Sequence, residues 1–567
     1  MPGPSTLLPM LLDEESLSSS PSQTPISELG PSVTSVQLHL ESELDLTPDK
    51  PLQSIPSRSS APLTDAAMWD RTLQRVIKGI VSIKSNRVRG FDTESAGSSH
   101  ATGFVVDKER GIILSNRHVV NPAPTSATAV FQNYEEVTLQ PFYHDPVHDF
   151  GFFRYDPKKI KFADVEEIEL FPQGAKVGLA IKVCGNDSGE KLSILGSTLA
   201  RVDREAPDYG SYNYNDFNTF YYQAGSGTSG GSSGSPVLDI HGRAVAINAG
   251  GKKKSASSFY LPLDRVVRAL KLIQNQQAIS RGTIQVEFRH LSYDKLKRLG
   301  LPDGIENELR VKRNGGTGLL TVQKVLPEGP GSRAGLEVGD VLLHCHDDRF
   351  GGRDIDNFIS LWEVIDESVG KSIQLTVYRG KARKIVDVQV EDLFSITPKR
   401  FLELGRATIH DLSYQYARMF NLPCKGVFVA APGMFSWTPS YRSISDFLLT
   451  HLNGRPLDSL DTLLEMLPSL TDGERVKYRF LKLGRSESKF DLVQIDRHFS
   501  PVFMYSRGSD GRWDRKLMPN PPTVPYTIAV SRGHVPENGL VTIHCRYPYR
   551  LAVSSPTFRI LIEGNPQ

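Results

Sequence analysis

The chain has 567 residues and carries 66 basic against 64 acidic side chains. A single hydrophobic core seldom grows beyond about 250 residues, so this length predicts several domains. The balanced charge gives no reason to expect a polyanionic partner such as a nucleic acid. No apolar run approaches the roughly 20 residues that a membrane-spanning helix needs, so we expect no membrane partner.

The four cysteines, Cys184, Cys345, Cys424 and Cys545, lie far apart in the sequence. Their spacing shows neither a disulfide framework nor a paired-cysteine metal motif, which is typical of a reducing compartment, and we expect no metal or other cofactor. The apolar run at residues 7–12 lacks a basic flank and does not predict a secretory signal. We therefore expect a nuclear or cytoplasmic protein rather than a secreted one.

Residues 1–65 are rich in serine, proline and threonine and poor in aromatic residues. Such a composition buries too little apolar surface to offset the chain entropy, so it predicts a disordered tail. Order begins at Trp69, from which apolar residues up to Ile77 follow a helical spacing. Gly79 is expected to end this helix before a strand at residues 80–83.

Two polar residues are then predicted to lie at the ends of strands. Residues 101–107 indicate one strand, and a second strand at residues 112–116 delivers His118 at its end. Asp149 directly precedes an apolar run at residues 150–153. Strand ends can therefore bring both side chains to one cleft.

A serine follows in a glycine-rich segment. Ser233 lies within residues 225–234, just before predicted strands at residues 236–240 and 243–248. Glycines let this backbone turn so that amide N–H groups can point at a developing oxyanion. The segment is therefore a candidate for the turn that carries a nucleophile.

The order His118, Asp149, Ser233 matches the chain order of the chymotrypsin-type triad. A serine hydroxyl becomes nucleophilic when an imidazole takes its proton and a carboxylate orients that imidazole. Each residue alone has an ordinary structural explanation, and only the joint order and strand context favour catalysis. Two choices stay open from the residues alone: Asp145 competes with Asp149, and two further serines stand close to Ser233.

Five segments carry a resemblance to a known family. They are residues 101–106, 115–120, 145–151, 185–194 and 229–236. From about Trp69 to about Trp513 the chain resembles the HtrA (Deg) serine proteases, in particular the fungal nuclear pro-apoptotic branch of that family. The family pattern Gly-x-Ser-Gly-x-Pro selects Ser233 over Ser232 and Ser235.

The resemblance implies a role for each candidate residue. His118 would be the general base, Asp149 its orienting acid and Ser233 the nucleophile. The N–H groups of Gly231 and Ser233 would form the oxyanion hole. The apolar run after Asp149 matches the buried strand expected after the triad acid, so the resemblance favours Asp149 over Asp145.

The same analogy addresses specificity and activation. The wall of the specificity pocket would be Asn248, Ala249 and Gly250. Its floor would lie near Gly227, and none of these residues is acidic, which implies small or medium aliphatic side chains at the cleavage site. Ser232 stands where trypsin-like proteases have an aspartate that pairs with a newly cut N-terminus. Activation by propeptide cleavage is therefore not expected, and the glycine-rich loop before the nucleophile becomes the candidate switch.

An internal repeat follows the protease region. The run from His290 to Pro302 recurs, with similar spacing, from His410 to Pro423, and each copy precedes a similar predicted order of strands and a helix. Two modules of about 100 residues are the simplest account. The first carries Ala334–Asp340, which resembles the Ala-Gly-Leu-x-x-Gly-Asp signature of HtrA-type PDZ domains. The second lacks this element and is interpreted as a degenerate PDZ-like domain.

By resemblance, the first module would bind C-terminal peptides. The N–H groups that would receive the peptide carboxylate belong to Gly282, Thr283, Ile284 and Gln285. The peptide would then add a strand beside them. Gln285 stands where the family usually has glycine, so carboxylate capture is in question.

These observations predict a mainly β protein, with a chymotrypsin-like double β-barrel protease domain followed by two PDZ-like α+β domains. The predicted parts are a disordered tail (1–65), the protease domain (66–277), a PDZ domain (280–395), a degenerate PDZ-like domain (400–498), and a linker with the truncated start of a second half (499–567). The resemblance implies that the chain corresponds to the N-terminal half of the fungal proteins.

The leading functional interpretation is a serine endopeptidase that acts on protein substrates through a His-Asp-Ser triad and an acyl-enzyme. The PDZ modules would bind substrate or regulate the protease. By resemblance, the role would be nuclear, in apoptosis and protein quality control. The alternative is a catalytically latent chaperone or a PDZ scaffold, and self-association into a homo-oligomer stays open.

Overall fold

The structure is a computed structural model that describes most of the chain. The described residues are 64–186, 192–210, 212–225, 231–252, 257–312, 316–347, 351–355, 357–436, 446–485 and 487–520. The predicted tail lies outside the described residues except for its last two positions, and the predicted pocket floor at Gly227 lies outside them as well.

The predicted first helix is confirmed. Helix α1 (Asp65–Val76) begins after Thr64, whose hydroxyl caps its first turn. The Thr72 hydroxyl donates to the Ile240 carbonyl at 2.7 Å. This bond fastens α1 to the turn at residues 239–242, in the second half of the protease region.

Six strands form a first closed barrel. They are β1 (Ile80–Arg87), β2 (Gly97–Asp107), β3 (Ile112–Ser115), β4 (Thr125–Val130), β5 (Glu136–His144) and β6 (Gly151–Arg154), with the short helix α2 (Arg117–Val120) after β3. The strands pair in the order β1-β2-β3-β6-β5-β4. Successive side chains of a strand point to opposite faces, and the inward set, which includes Val81, Val105 and Ile113, is completely buried.

Six further strands form a second closed barrel. They are β7 (Ala180–Gly185), β8 (Ser193–Glu205), β9 (Phe220–Ala224), β10 (Pro236–Leu238), β11 (Ala244–Lys252) and β12 (Ser257–Pro262), and helix α3 (Asp264–Gln274) follows them. They pair in the order β10-β11-β12-β9-β8-β7. Phe104 and Phe150 from the first barrel share a buried core with Leu238 and Phe259 from the second. The two joined barrels confirm the predicted chymotrypsin-like fold.

The first PDZ-like module has its own sheet. Its elements are β13 (Gly282–Thr283), β14 (Val286–Ser292), α4 (Tyr293–Arg298), α5 (Asp303–Lys312), β15 (Gly318–Val325), α6 (Pro330–Arg333), β16 (Val341–Asp347), β17 (Gly351–Asp354), α7 (Phe358–Glu367), β18 (Ser372–Arg379), β19 (Ala382–Gln389) and β20 (Glu391–Asp392). Strand β14 forms one edge of the order β14-β15-β16-β18-β19, while β13 pairs with β20. This is the edge at which the sequence analysis predicts that a peptide adds as a strand.

The second PDZ-like module is larger. Its elements are β21 (Arg400–Leu404), β22 (Ala407–Asp411), α8 (Tyr414–Phe420), β23 (Val427–Ala431), β24 (Phe447–Leu452), β25 (Arg455–Pro456), α9 (Leu460–Met466), β26 (Arg475–Lys482), β27 (Ser488–Gln494), β28 (Phe503–Arg507) and β29 (Trp513–Leu517). Strand β22 occupies the place that β14 has in the first module. In the order β27-β26-β24-β23-β22-β21-β28-β29 this strand is interior, so the edge that a peptide would use is paired with β21.

The end of the described chain differs from the predicted linker. Strands β28 and β29 form a hairpin, and β28 pairs with β21, so residues 503–517 extend the sheet of the second module. The ring of Tyr505 stacks on Phe401 at 4.5 Å between centroids. Contacts between aromatic rings that are far apart in the sequence stabilise this hairpin. The local hydrophobic pattern does not predict such contacts.

Phe91 connects the second module to the protease domain. It lies between β1 and β2, is 1% exposed, and contacts the rings of His410 and Trp513 at 4.7 and 5.3 Å. The neighbouring Asp92 N–H donates to His410 Nε2 at 3.0 Å. A buried aromatic contact of this kind fixes the position of the second module against the first barrel.

None of the described helices combines the length and the hydropathy that a membrane-spanning helix requires. Nor do the described residues include a group of three or more histidine, cysteine, aspartate and glutamate side chains arranged to hold a metal ion.

Candidate active site

His118 and Asp149 face each other in the structure. His118 lies in α2, directly after β3, and its Nδ1 is 3.0 and 2.9 Å from the two carboxylate oxygens of Asp149. The His118 main-chain N–H also donates to Asp149 Oδ1 at 3.1 Å. The Asp149 side chain is 1% exposed, whereas that of His118 is 36% exposed. With Nδ1 bound to the carboxylate, Nε2 is the ring nitrogen available for proton transfer.

Electrostatics favour the protonated imidazole of His118. Removal of the ring from water lowers its pKa, but the charge of Asp149 and the hydrogen bond to it raise the pKa more strongly, with a further contribution from Glu94. The net result is a pKa above the ordinary value of 6.5. A base with this environment holds the proton that it takes from a nucleophile.

Asp145 makes different contacts from Asp149. Its Oδ1 accepts the main-chain N–H groups of Val147 and His148, at 2.9 and 2.8 Å. Arg281 donates to both carboxylate oxygens of Asp145, at 2.8 and 3.0 Å. Although burial works against it, the charge of Arg281 keeps the pKa of Asp145 below its usual range. Asp145 thus stabilises the turn before Asp149. None of these four bonds involves the imidazole of His118.

The turn that carries Ser233 is fastened to the first barrel. The Ser233 carbonyl accepts the N–H of Thr102 at 2.8 Å. The carbonyl of Thr102 in turn accepts the Ser115 hydroxyl at 2.7 Å, at the end of the strand that leads to His118. Gly234 has φ +87°, and a Cβ there would collide with the Thr102 carbonyl. Glycine is therefore required after Ser233 for this close approach.

The peptide between Ser232 and Ser233 has a fixed orientation. The Ser232 carbonyl accepts the Ser235 N–H at 3.1 Å, the Ser235 hydroxyl at 2.6 Å and Nδ2 of Asn248 at 2.8 Å. Because the peptide is trans, the N–H of Ser233 points away from these three donors. This orientation is compatible with the predicted oxyanion-hole role of the Ser233 N–H.

Gly231, the other predicted oxyanion residue, adopts φ +97°, a conformation that favours glycine. Its carbonyl accepts the Thr102 hydroxyl at 3.0 Å. The same hydroxyl accepts the N–H of Asn186 at 2.9 Å. Thr102 therefore connects the two barrels beside the Ser233 turn.

The predicted pocket wall lies on β11. Asn248 and Ala249 are buried there, and the Asn248 amide is turned toward Ser232. The Tyr209 hydroxyl donates to the Ala249 carbonyl at 3.4 Å, and a Cβ on Gly250 would also touch that hydroxyl. Tyr209 is thus an additional residue at this wall, which the sequence did not reveal because it lies about 40 positions away.

Arg117 is a second residue that the sequence analysis missed. It precedes His118, is 1% exposed, pairs with Asp92 at 3.2 Å, and places its guanidinium 4.0 Å from the centre of the Tyr214 ring. Asn116 was also missed, although its Nδ2 donates to the Asp149 carbonyl at 3.0 Å. The signal was present in the Ser-Asn-Arg-His run, but an arginine is ordinarily expected at the surface.

The amides predicted to receive a peptide carboxylate are partly engaged within the chain. The Gly282 N–H donates to Asp366 at 2.9 Å, and the Gln285 N–H donates to the Thr283 hydroxyl at 3.0 Å. Gln285 adopts φ +53°, which explains why glycine is usual there. Ile284 is buried, and its carbonyl accepts a main-chain N–H at 2.9 Å.

The neighbouring edge of β14 is also occupied. Asn218, from the protease domain, donates through Nδ2 to the Val286 carbonyl at 2.9 Å and accepts the Phe288 N–H at 2.6 Å through Oδ1. Its amide thereby makes the pair of hydrogen bonds that one residue of an added strand would make. Phe220 extends this contact, with its ring 5.0 Å from that of Phe358 on α7.

Two family models match the chain. The model described as a trypsin-like peptidase domain matches residues 101–247, and the model described as a PDZ-like domain matches residues 395–473. The first match contains all three candidate triad residues. The second covers much of the module that lacks the Ala-Gly-Leu-x-x-Gly-Asp element.

Curated relatives match most of this chain. "Protease Do-like 7" of Arabidopsis thaliana is 46% identical over 486 residues, which are 82% of this chain and 44% of that protein. "Pro-apoptotic serine protease NMA111" of Saccharomyces cerevisiae (strain ATCC 204508 / S288c) is 45% identical over 457 residues, or 80% of this chain and 45% of that protein. The chain spans about half the length of the curated relatives it matches.

Among solved structures, the "HtrA-type protease AlgW with tripeptide" is similar to this chain with a TM-score of 0.42 and 19% sequence identity. The similarity covers 57% of this chain and 96% of that one.

Proposed function

We propose that this chain, a member of the HtrA-like serine proteases, is an endopeptidase that hydrolyses peptide bonds of protein substrates through His118, Asp149 and Ser233. The observation that carries the proposal is the pair of 2.9 and 3.0 Å contacts between His118 Nδ1 and the Asp149 carboxylate within a trypsin-like peptidase domain. The fastening of the Ser233 turn to Thr102 supports it.

In the proposed reaction, Ser233 Oγ attacks the carbonyl carbon of the scissile peptide while His118 Nε2 takes the hydroxyl proton. Asp149 holds the imidazole in the required tautomer and stabilises the imidazolium. The oxyanion of the tetrahedral intermediate accepts the N–H groups of Ser233 and Gly231. His118 then gives its proton to the leaving nitrogen, the C–N bond breaks, and the acyl group stays on Ser233.

Water completes the cycle. His118 takes a proton from the water molecule as its oxygen attacks the acyl carbon, and the second tetrahedral intermediate collapses with cleavage of the ester bond. The proton returns to Ser233 Oγ, and the new carboxylate product leaves. The environment that raises the pKa of His118 stabilises the imidazolium formed in both halves of the reaction.

For the PDZ-like modules, we propose regulation rather than substrate capture. Asn218 fills the edge of β14 in the first module, and β21 covers the equivalent edge of β22 in the second. A peptide that bound by strand addition would have to displace one of these internal partners.

Replacement of Ser233 by alanine tests the nucleophile. We expect Ser233→Ala to abolish labelling by a fluorophosphonate serine probe and to lower casein turnover on the order of 10⁴-fold or more, as triad knockouts do. Ser126→Ala is the matched control, because Ser126 is an exposed serine on β4 of the same domain, and it should keep its labelling. Wild-type protein that neither labels nor cleaves would instead favour a latent chaperone or scaffold.

The predicted pocket wall leads to an expectation about the cleavage site. Asn248, Ala249 and Gly250 offer no carboxylate to pair with a basic side chain, so cleavage should follow small or medium aliphatic residues. Sequencing the new C-termini of casein fragments measures this preference, with trypsin digests as the control. Predominant cleavage after lysine or arginine would contradict the proposed pocket.

The resemblance to the fungal branch extends the proposal to a nuclear role in apoptosis and protein quality control. A relative that matches 80% of this chain is named a pro-apoptotic serine protease. We expect a fluorescently tagged chain, expressed at its native level, to accumulate in the nucleus, and Ser233→Ala to localise in the same way. Exclusion of both from the nucleus would contradict this role.

A further inference from the structure

The loop between β8 and β9 reaches the catalytic acid proposed above. Within this loop, Asp216 is 7% exposed, and its Oδ2 accepts the main-chain N–H of Asp149 at 3.1 Å. The Tyr221 hydroxyl donates to the same oxygen at 2.7 Å. Asp216 is remote from His118 in sequence, and no motif of the sequence analysis includes it.

The contact from Asp216 is one of two that fix the main chain of Asp149. Its N–H is bound by Asp216, and its carbonyl is bound by Nδ2 of Asn116 at 3.0 Å. A main chain bound at both of its polar groups has little freedom to rotate, so the direction of the Asp149 carboxylate is set as well. That direction decides whether both carboxylate oxygens face His118.

The placement of a carboxylate here has an electrostatic cost. Burial, and next the negative charge of Asp149, raise the pKa of Asp216 to about 7. Buried acidic groups persist where hydrogen-bond donors converge on them, and the N–H of Asp149 and the hydroxyl of Tyr221 are such donors. Asp216 therefore contributes a hydrogen-bond acceptor for these two donors, and not packing alone.

The same loop is anchored on both PDZ-like modules. Two residues after Asp216, Asn218 makes its two bonds to β14 of the first module. Phe217, between them, packs edge-on against the ring of Tyr414 at 5.5 Å and lies under the guanidinium of Arg418 at 4.3 Å, in the second module. The position of Asp216 thus depends on contacts outside the protease domain.

We propose that Asp216 is a positioning residue for the catalytic acid: it fixes the main chain of Asp149 so that the carboxylate faces His118, and Asn218 holds Asp216 in place through the first PDZ-like module. This inference rests on the proposed protease function. Asp216 touches neither the substrate nor the reacting atoms, and it acts through Asp149.

Kinetics of three variants test the proposal. Asp216→Ala removes the acceptor, and because a small misplacement of a catalytic group can cost about 100-fold, we expect kcat for a fluorogenic peptide to fall on the order of 10²-fold with KM unchanged. Asp216→Asn keeps an oxygen that accepts the Asp149 N–H and should restore kcat to within a few-fold of wild type. Asp208→Ala is the matched control, since Asp208 is an exposed aspartate on the same loop.

A spectroscopic readout separates this inference from the proposed activity. The low-field proton resonance of His118 Nδ1–H reports its hydrogen bond to Asp149 even in a protein that does not turn over, and His118→Ala assigns it. We expect this resonance to be lost or shifted in Asp216→Ala and retained in Asp216→Asn. An inert wild type with this pattern would contradict the protease function but support the positioning role.

Two outcomes of these measurements contradict the proposal. Wild-type kcat and an unchanged resonance in Asp216→Ala would overturn the proposal, as would equal losses of kcat in Asp216→Ala and Asp216→Asn. Should Asp216→Ala fail to fold, Asn218→Ala carries the test, because it removes the two bonds that hold the loop on β14 while the Asp216 side chain itself is retained. A lower kcat at unchanged KM in that variant supports the inference, and wild-type kinetics overturn it.

Discussion

His118 and Asp149 face each other because hydrogen bonds hold the main chain of Asp149 at its carbonyl, at its N–H and in the turn before it. Asn116 binds its carbonyl, and Asp216 binds its N–H. The turn that precedes it is closed by Asp145 and fastened by Arg281. A carboxylate on an unrestrained loop would sample many directions, whereas this one has both oxygens within 3.0 Å of a single ring nitrogen. Every catalytic step proposed for the chain depends on that orientation.

The bonds that restrain Asp149 extend into the first PDZ-like module. Arg281 joins Asp145 to Asp366 of α7, and both carboxylates are buried. Removal of one partner from a buried ion pair generally costs about 3–5 kcal/mol, because the other charge is left unpaired. The ion pairs of Arg281 and the hydrogen bonds from Asn218 to β14 join the first PDZ-like module to the protease domain. A movement of the module would therefore displace the main chain around Asp149.

Local sequence pattern predicted the strand ends and the glycine-containing turn on which the candidate site residues lie. His118 and Asp149 lie at the ends of predicted strands. Gly231 and Gly234, which flank the Ser233 turn, both have a positive φ, and this explains why glycine stands at these positions. Arg117 could not be predicted as a buried residue, because its burial depends on Asp92 and the ring of Tyr214, which only the fold brings together.

Other features escaped the sequence analysis for the same reason. The contact between Asp216 and Asp149 joins residues 67 positions apart, and nothing local to either predicts it. The hairpin at residues 503–517 depends on ring contacts with Phe401 and Phe91 rather than on an alternating apolar pattern of its own. Contacts between side chains that are far apart in the sequence are therefore the part of the structure that the sequence did not predict.

The most direct test of the triad is to label the protein with a fluorophosphonate probe across a range of pH and to map the adduct by mass spectrometry. We expect the adduct on Ser233, at a rate that rises with pH through one ionisation above 6.5, because His118 reacts as the neutral base and Asp149 raises its pKa. The ionisation should persist in Asp216→Asn, which excludes Asp216 as its source, and should move to lower pH in Asp149→Asn. An adduct on another residue, or a rate without this ionisation, would contradict the account.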